Sequence, residues 1–124
     1  MTLRNWMSVK AVICVLFGVG FVILPGTLLS LYGISLDEAG IFITRLFGQA
    51  FILLGLLLWL ARNTTEPSTQ RAFALSVFVG DAIGFVVALV AQLSGIVNAL
   101  GWVTVILYLI LALGFGAFLI AKSA

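Results

Sequence analysis

The stretch AGIFITRLFGQAFILLGLLLWLA, residues 39–61, decides the fold class of this chain. It is almost wholly apolar, and its single charged side chain is Arg45. A helix that crosses a bilayer needs about 20 consecutive, predominantly apolar residues. The stretch therefore predicts a transmembrane helix, and Arg45 is the residue in it that needs an explanation.

Three further stretches have the same character, at about residues 9–32, 70–93 and 99–121. The whole chain is 64% hydrophobic and 8% charged, against about 45–50% and about 25% in soluble globular domains. The segments between the stretches are short, which favours antiparallel neighbours. The sequence predicts one transmembrane domain over residues 1–124: an all-α, integral membrane, up-down four-helix bundle whose first partner is the lipid bilayer.

Pro25 interrupts the first stretch. Proline removes a backbone donor and clashes with the preceding turn, so a helix kinks or ends there. Two structures remain open at this point: a plain kink, or a break followed by a short helix near the membrane interface.

Basic residues near the chain ends and loops indicate the orientation. In a four-span arrangement they all fall on one side: Arg4, Lys10, Arg62, Arg71 and Lys122. The opposite side carries Asp37 and Glu38. Because Lys and Arg are retained on the cytoplasmic side of short loops, we expect a multi-pass protein of the cell (inner) membrane with both termini cytoplasmic.

Two charged residues lie away from the ends of the predicted spans and from the loops, Arg45 and Asp81. A charge at the bilayer centre costs at least about 2.5–3.5 kcal/mol, so such residues usually face the bundle interior and pair. Aligning the second and third helices about their loop places Gln49 level with Asp81 and Arg45 one turn further out. Contact between the two charges therefore needs either an unfavourable Arg45 rotamer or Gln49 as a bridge. Folding the fourth helix back places Tyr108 between the charges, with Thr104 nearby. These five residues form the predicted intramembrane polar cluster, which either fixes helix register or binds a ligand.

Small residues mark the predicted helix contacts. Glycine lets membrane helices approach closely, and the predicted packing glycines are Gly48, Gly55, Gly80, Gly84 and Gly116. Gly80 and Gly84 form a G-x-x-x-G pattern around Asp81.

The residue inventory narrows the function. The chain has no histidine and one cysteine, Cys14, which excludes an internal disulfide and the common Cys/His metal sites. The basic residues are scattered rather than clustered, so no nucleic-acid-binding face is expected.

We expect no cofactor, no metal and no catalytic residue. The sequence favours a non-catalytic accessory or scaffold subunit with a buried Arg45–Asp81 cluster, in a homodimer or larger membrane complex. The alternative is a small transporter or lipophilic-ligand-binding protein that uses the same cluster.

Residues 31–62, with GISLD, RLFG and a final LLWLAR, and residues 100–115, LGWVTVILYLILALGF, carry a family resemblance. They resemble small uncharacterised bacterial inner-membrane proteins of four helices, a domain of unknown function. The resemblance implies a bacterial inner-membrane protein and brings no activity with it. Small multidrug-resistance transporters are similar in length and span count, but they need a glutamate in the first span, which this chain lacks.

Overall fold

A computed structural model describes the backbone of residues 2–123 and the side chains of residues 2–121. Within these residues the chain is all-helical, with five helices and no strand. The helices are α1 Leu3–Ile23, α2 Pro25–Leu31, α3 Glu38–Ala61, α4 Pro67–Leu93 and α5 Gly101–Ser123. All but α2 are long and apolar enough to cross a membrane. The side chain of Lys122, which the orientation prediction used, lies outside the described side chains.

The first helix starts earlier than the hydropathy pattern predicts, at Leu3 rather than near residue 9. Thr2 provides the reason, because its hydroxyl oxygen accepts a hydrogen bond from the backbone N–H of Asn5 at 3.2 Å. Such a side-chain cap satisfies an otherwise unpaired donor of the first turn. The early start places Lys10 well inside α1 rather than at its end.

The chain breaks at Pro25 and forms a separate short helix, which resolves the alternatives left open above. The helix α1 ends at Ile23, and Pro25 occupies the first turn of α2. The first turn of the new helix is closed by a hydrogen bond from the N–H of Leu28 to the carbonyl oxygen of Leu24, at 3.0 Å. Gly33, with a φ of +79°, then turns the chain away from α2 toward α3.

The long helices form two antiparallel pairs, α1 with α3 and α4 with α5, which meet mainly along α1 and α5. The consecutive helices α3 and α4 hardly touch. This differs from the expectation that short connections make packed neighbours. A short loop fixes the relative direction of two helices, whereas the closest contacts form where small residues allow backbones to approach.

Glycines lie at both close interfaces. A methyl group added at Gly48 would come within 2.7 Å of the carbonyl oxygen of Gly18, and one at Gly55 would meet Val15 and the backbone of α1. In the other pair, Gly84 lies against the ring of Tyr108, and Gly116 likewise lies against Phe78.

Gly80 is not at a helix contact, although the sequence predicts it as a packing glycine. It is exposed, and no atom among the described residues lies within 4 Å of the position its Cβ would take. The G-x-x-x-G pattern therefore contributes one packing glycine rather than two, because Gly80 faces the gap between α3 and α4 instead of α5.

The packed core occupies one end of the molecule. It joins the first half of α1 to the second half of α3, the first half of α4 and the second half of α5. Its fully buried members include Met7, Leu58, Ala74 and Phe115. Toward the other end the helix pairs separate around a cavity.

Candidate binding cavity and buried ion pair

An ion pair joins the two helix pairs in the interior. The ammonium Nζ of Lys10 in α1 donates a hydrogen bond to Oδ1 of Asp81 in α4, at 2.6 Å. Lys10 is 4% exposed and Asp81 is 3% exposed. Lys10 lies roughly 10 Å of helix rise beyond Leu3, and Asp81 lies near the middle of α4. Both charges are therefore removed from solvent and neutralise each other.

Tyr108 completes the surroundings of this pair. Its ring centroid lies 5.4 Å from the ammonium of Lys10, within the range of a cation–π interaction. Gly84 permits this position, because any larger side chain there would strike the Tyr108 ring. The second carboxylate oxygen of Asp81, Oδ2, is buried and accepts no hydrogen bond from the described residues. A buried acceptor without a donor is costly, so this atom marks a place where a further group would be stabilised.

The expected buried cluster of Arg45 with Asp81 is not formed among the described side chains, because Asp81 is paired with Lys10 and Arg45 is exposed. The Nε of Arg45 donates instead to the carbonyl oxygen of Val22 at 3.1 Å. Val22 is in the last turn of α1, where carbonyls have lost their helical partners because the chain breaks at Pro25. Arg45 therefore places a positive charge at the negative end of α1, a stabilising arrangement.

Gln49 and Thr104 are also placed differently from the expectation. Gln49 is exposed on α3 and does not bridge Arg45 to Asp81. The hydroxyl of Thr104 lies 3.0 Å from the hydroxyl of Tyr32, so it contacts the end of α2 rather than the ion pair. Gln49 does not approach Asp81 because α3 packs on α1 and leaves α4 to α5, so alignment of α3 with α4 does not bring their side chains together.

Lys10 was missed because it was assigned to the N-terminal charges that set the orientation. A signal for its burial was present in the sequence. The buried positions of α1 are Leu3, Met7, Lys10, Ala11, Cys14 and Gly18. They follow the helical spacing of a single apolar face, and Lys10 lies on that face between Met7 and Cys14.

A cavity of about 230 Å³ extends from the ion pair toward α2, between the two helix pairs. We call it the core cavity. Its inner end is formed by Lys10, Cys14 and Tyr108, and aromatic and aliphatic side chains form most of its length. These wall residues are Ile13, Phe17, Phe21, Phe47, Phe51, Ala88, Ala91, Leu107 and Leu111.

The outer end of the core cavity is bordered by α2 and the turn that follows it. Leu29, Tyr32 and Ile34 line the cavity from this segment. Asn98, in the connection between α4 and α5, holds it in place. The backbone N–H of Asn98 donates to the carbonyl of Tyr32 at 2.9 Å, and its side-chain amide donates to the carbonyl of Leu31 at 3.0 Å.

The groups at this site are suited to holding a small molecule. The core cavity offers the ammonium of Lys10, already paired with Asp81, together with a phenol, two hydroxyls at the outer end and a long apolar wall. Across residues 2–121, no three His, Cys, Asp or Glu side chains lie close enough to hold a metal ion. Sites for small lipophilic molecules have this composition, with mostly apolar walls and a few polar groups that fix orientation.

Fold and site together define the class: an all-helical protein with four helices, in its described part, that are long and apolar enough to cross a membrane. Within that class the chain belongs to the family described as Domain of unknown function (DUF8292), whose model matches residues 2–122. It matches none of the curated proteins and none of the solved structures with which it was compared. The predicted membership of an uncharacterised family is thus confirmed, and the bacterial inner-membrane setting stays a prediction.

Proposed function

We propose that this chain is a non-catalytic multi-pass protein of the cell (inner) membrane that binds a lipophilic ligand in the core cavity. The membrane setting is supported by the outer faces of the long helices. Most of the exposed large side chains on them are apolar, among them Leu16, Leu60, Val87 and Ile120, whereas Arg45 and Gln49 of α3 are exposed polar exceptions. In water such a surface would associate, whereas in lipid it is the expected exterior.

The orientation follows from charge. Arg4 and Arg62 line one groove at the end of the molecule where α1 begins and α3 ends. Asp37 caps α3 at the other end, with Glu38 in its first turn. By the positive-inside rule the end with the arginines, and with it the beginning of α1 and the end of α5, is cytoplasmic.

The core cavity is the observation that carries the binding function. Membrane bundles gain much of their stability from close packing between helices, and here the outer half of the bundle leaves room instead. An apolar cavity of about 150 Å³ in a protein interior binds benzene, and the core cavity, at about 230 Å³, is larger. Its apolar walls suit an alkyl chain or a ring system drawn from the bilayer.

An accessory or scaffold role, which the sequence favours, is the second candidate. The direct contact between Lys10 and Asp81 supports it, because a pair in contact fixes the position of α1 against α4 without any ligand. The large apolar surface of α3 and α4 would then serve a second copy or a partner subunit. The two candidates differ in one observable property, saturable occupation of the core cavity.

Photolabelling in lipid nanodiscs tests the binding function. An octane that carries a diazirine group serves as the probe, and mass spectrometry locates the labelled residues. We expect saturable labelling of the cavity wall, at Phe17 and Leu107, that excess octane suppresses. Ala88→Phe should abolish it by filling the cavity, while Val87→Phe, on the adjacent exposed position, should leave it unchanged. Labelling confined to outward-facing residues, and insensitive to excess octane, would overturn the binding function and leave the scaffold role.

A further inference from the structure

A second opening reaches the ion pair from the side, between α3 and α4. We call it the lateral groove; its volume is about 420 Å³. Leu57 of α3, together with Ser76 and Gly80 of α4, lines it and is exposed, so the groove opens to the surroundings of the helices. The groove exists because α3 and α4 hardly touch and because Gly80 has no side chain to fill it.

The lateral groove and the core cavity share a wall. Lys10, Phe51 and Tyr108 line both, so they separate the two spaces at the depth of the ion pair. Asp81 lines the lateral groove but not the core cavity. A molecule that enters between α3 and α4 therefore meets the carboxylate of Asp81 together with a largely apolar surface from Leu54, Leu57 and Phe73.

Asp81 Oδ2 is the polar atom that this groove leaves unsatisfied. Asp81 is 3% exposed, and its Oδ2 accepts no hydrogen bond from the described residues while Oδ1 is held by Lys10. A hydrogen bond from a neutral donor to a charged acceptor is roughly twice as strong as one between neutral groups. Asp81 thus brings a charged acceptor with one unsatisfied, buried oxygen to the wall of the largely apolar groove.

We propose that the lateral groove admits, from the bilayer, a neutral lipophilic alcohol whose hydroxyl donates to Oδ2 of Asp81 while its alkyl portion lies along the apolar wall. This inference goes beyond the proposed binding function, because it places a ligand in the groove beside the core cavity and names the class of that ligand. A cationic head group would add an unbalanced charge to an already neutral pair in a low-dielectric interior, which is costly. A carboxylate or phosphate has no proton to donate and would face the negative charge of Asp81. A hydroxyl meets the unsatisfied oxygen without changing the charge of the site.

Two diazirine probes of equal chain length test the ligand class in nanodiscs. One is an octanol, and the other is the corresponding octyl methyl ether, which has no hydrogen-bond donor. In the unmodified protein we expect the octanol to label the groove with a half-saturating concentration about tenfold lower than the ether, the ratio expected for one hydrogen bond to a charged acceptor. Equal half-saturating concentrations would overturn the inference. This comparison needs no substitution, so it holds even if variants of Asp81 fold poorly.

Substitutions in the groove make the test specific. Asp81→Asn should reduce the ratio between the two probes from about tenfold to about threefold, because a hydrogen bond to a neutral acceptor has about half the strength. Gly80→Leu should block labelling by octanol, since its side chain enters the groove, while Val79→Leu on the exposed neighbouring position should not. Octanol labelling that survives Gly80→Leu would overturn the lateral route.

The outcomes for the ligand class and for the proposed function are separable. If octane labels the core cavity saturably and the two oxygen-bearing probes bind alike, the binding function stands and the alcohol class is wrong. If none of the probes labels either space saturably, both are wrong.

Discussion

At the scale of single residues, the position of Lys10 determines how the charges of this protein are used. Lys10 neutralises Asp81, and Arg45, which the sequence pairs with Asp81, stabilises the broken end of α1 instead. In the first arrangement a positive charge contacts a carboxylate, and in the second a positive charge contacts a backbone carbonyl at the end of a helix. They differ in depth, because the Lys10–Asp81 pair is buried and the Arg45 side chain is exposed.

Removing one member of the buried pair should be far more harmful than removing both. We expect Lys10→Met and Asp81→Leu each to lower the free energy of unfolding by about 3–5 kcal/mol, because each leaves an uncompensated charge inside. The double variant should lose less than either single variant. Denaturation by sodium dodecyl sulfate in bicelles measures these differences.

Arg45→Met provides the matched control for this cycle. It should cost about 1 kcal/mol, the worth of one exposed hydrogen bond and its charge. Its effect should add to that of Asp81→Leu, since residues without a shared partner behave independently. A coupling of Asp81 to Arg45 and none to Lys10 would refute the pairing described here.

At the scale of elements, the placement of glycine decides which helices pack. Gly18, Gly48 and Gly55 bring the backbones of α1 and α3 together, and Gly84 and Gly116 accommodate aromatic rings between α4 and α5. Gly80 meets no described atom and helps to open the lateral groove. The same residue type thus closes two interfaces and leaves a third open.

Alanine substitution should distinguish these roles by the sign of its effect. Gly48→Ala should lower stability by about 1–3 kcal/mol, because its methyl group would strike the backbone of Gly18. Gly80→Ala should be neutral or raise stability by up to about 1 kcal/mol, the difference in helix propensity between the two residues. Bicelle denaturation measures both, and equal losses at the two positions would contradict the packing.

The four long helices could be predicted from the sequence, because residues such as those of 39–61 satisfy the length and composition rule on their own. The break at Pro25 could also be located, since proline acts locally. The pairing of α3 with α1 could not be predicted, because loop length fixes direction and not contact. The same difference applies to the site. The places of Asp81 and Tyr108 in it could be predicted from their depth along their helices, whereas the place of Lys10 could be predicted only by knowing which face of α1 is buried.

At the scale of the whole molecule, contacts among the described residues join the two halves of the bundle at three depths. A packed core joins them at the end where α1 begins, the Lys10–Asp81 pair joins them further in, and Asn98 ties α2 to the other pair at the far end. Between the last two lies the core cavity. This arrangement holds the cavity open without requiring α3 and α4 to touch.

Insertion of the four helices with the arginine end in the cytoplasm is the central claim, because the lipid-derived ligand and the cost of unpaired charges both depend on it. Cysteine accessibility in intact cells tests it most directly, using single-cysteine variants in a Cys14→Ala background. A membrane-impermeant maleimide should label Asp37→Cys from outside, and should label Thr64→Cys only after the cytoplasmic side is exposed. Labelling of Thr64→Cys from outside with protection of Asp37→Cys would contradict the orientation. Equal labelling of both positions from outside would contradict a helix α3 that crosses the membrane.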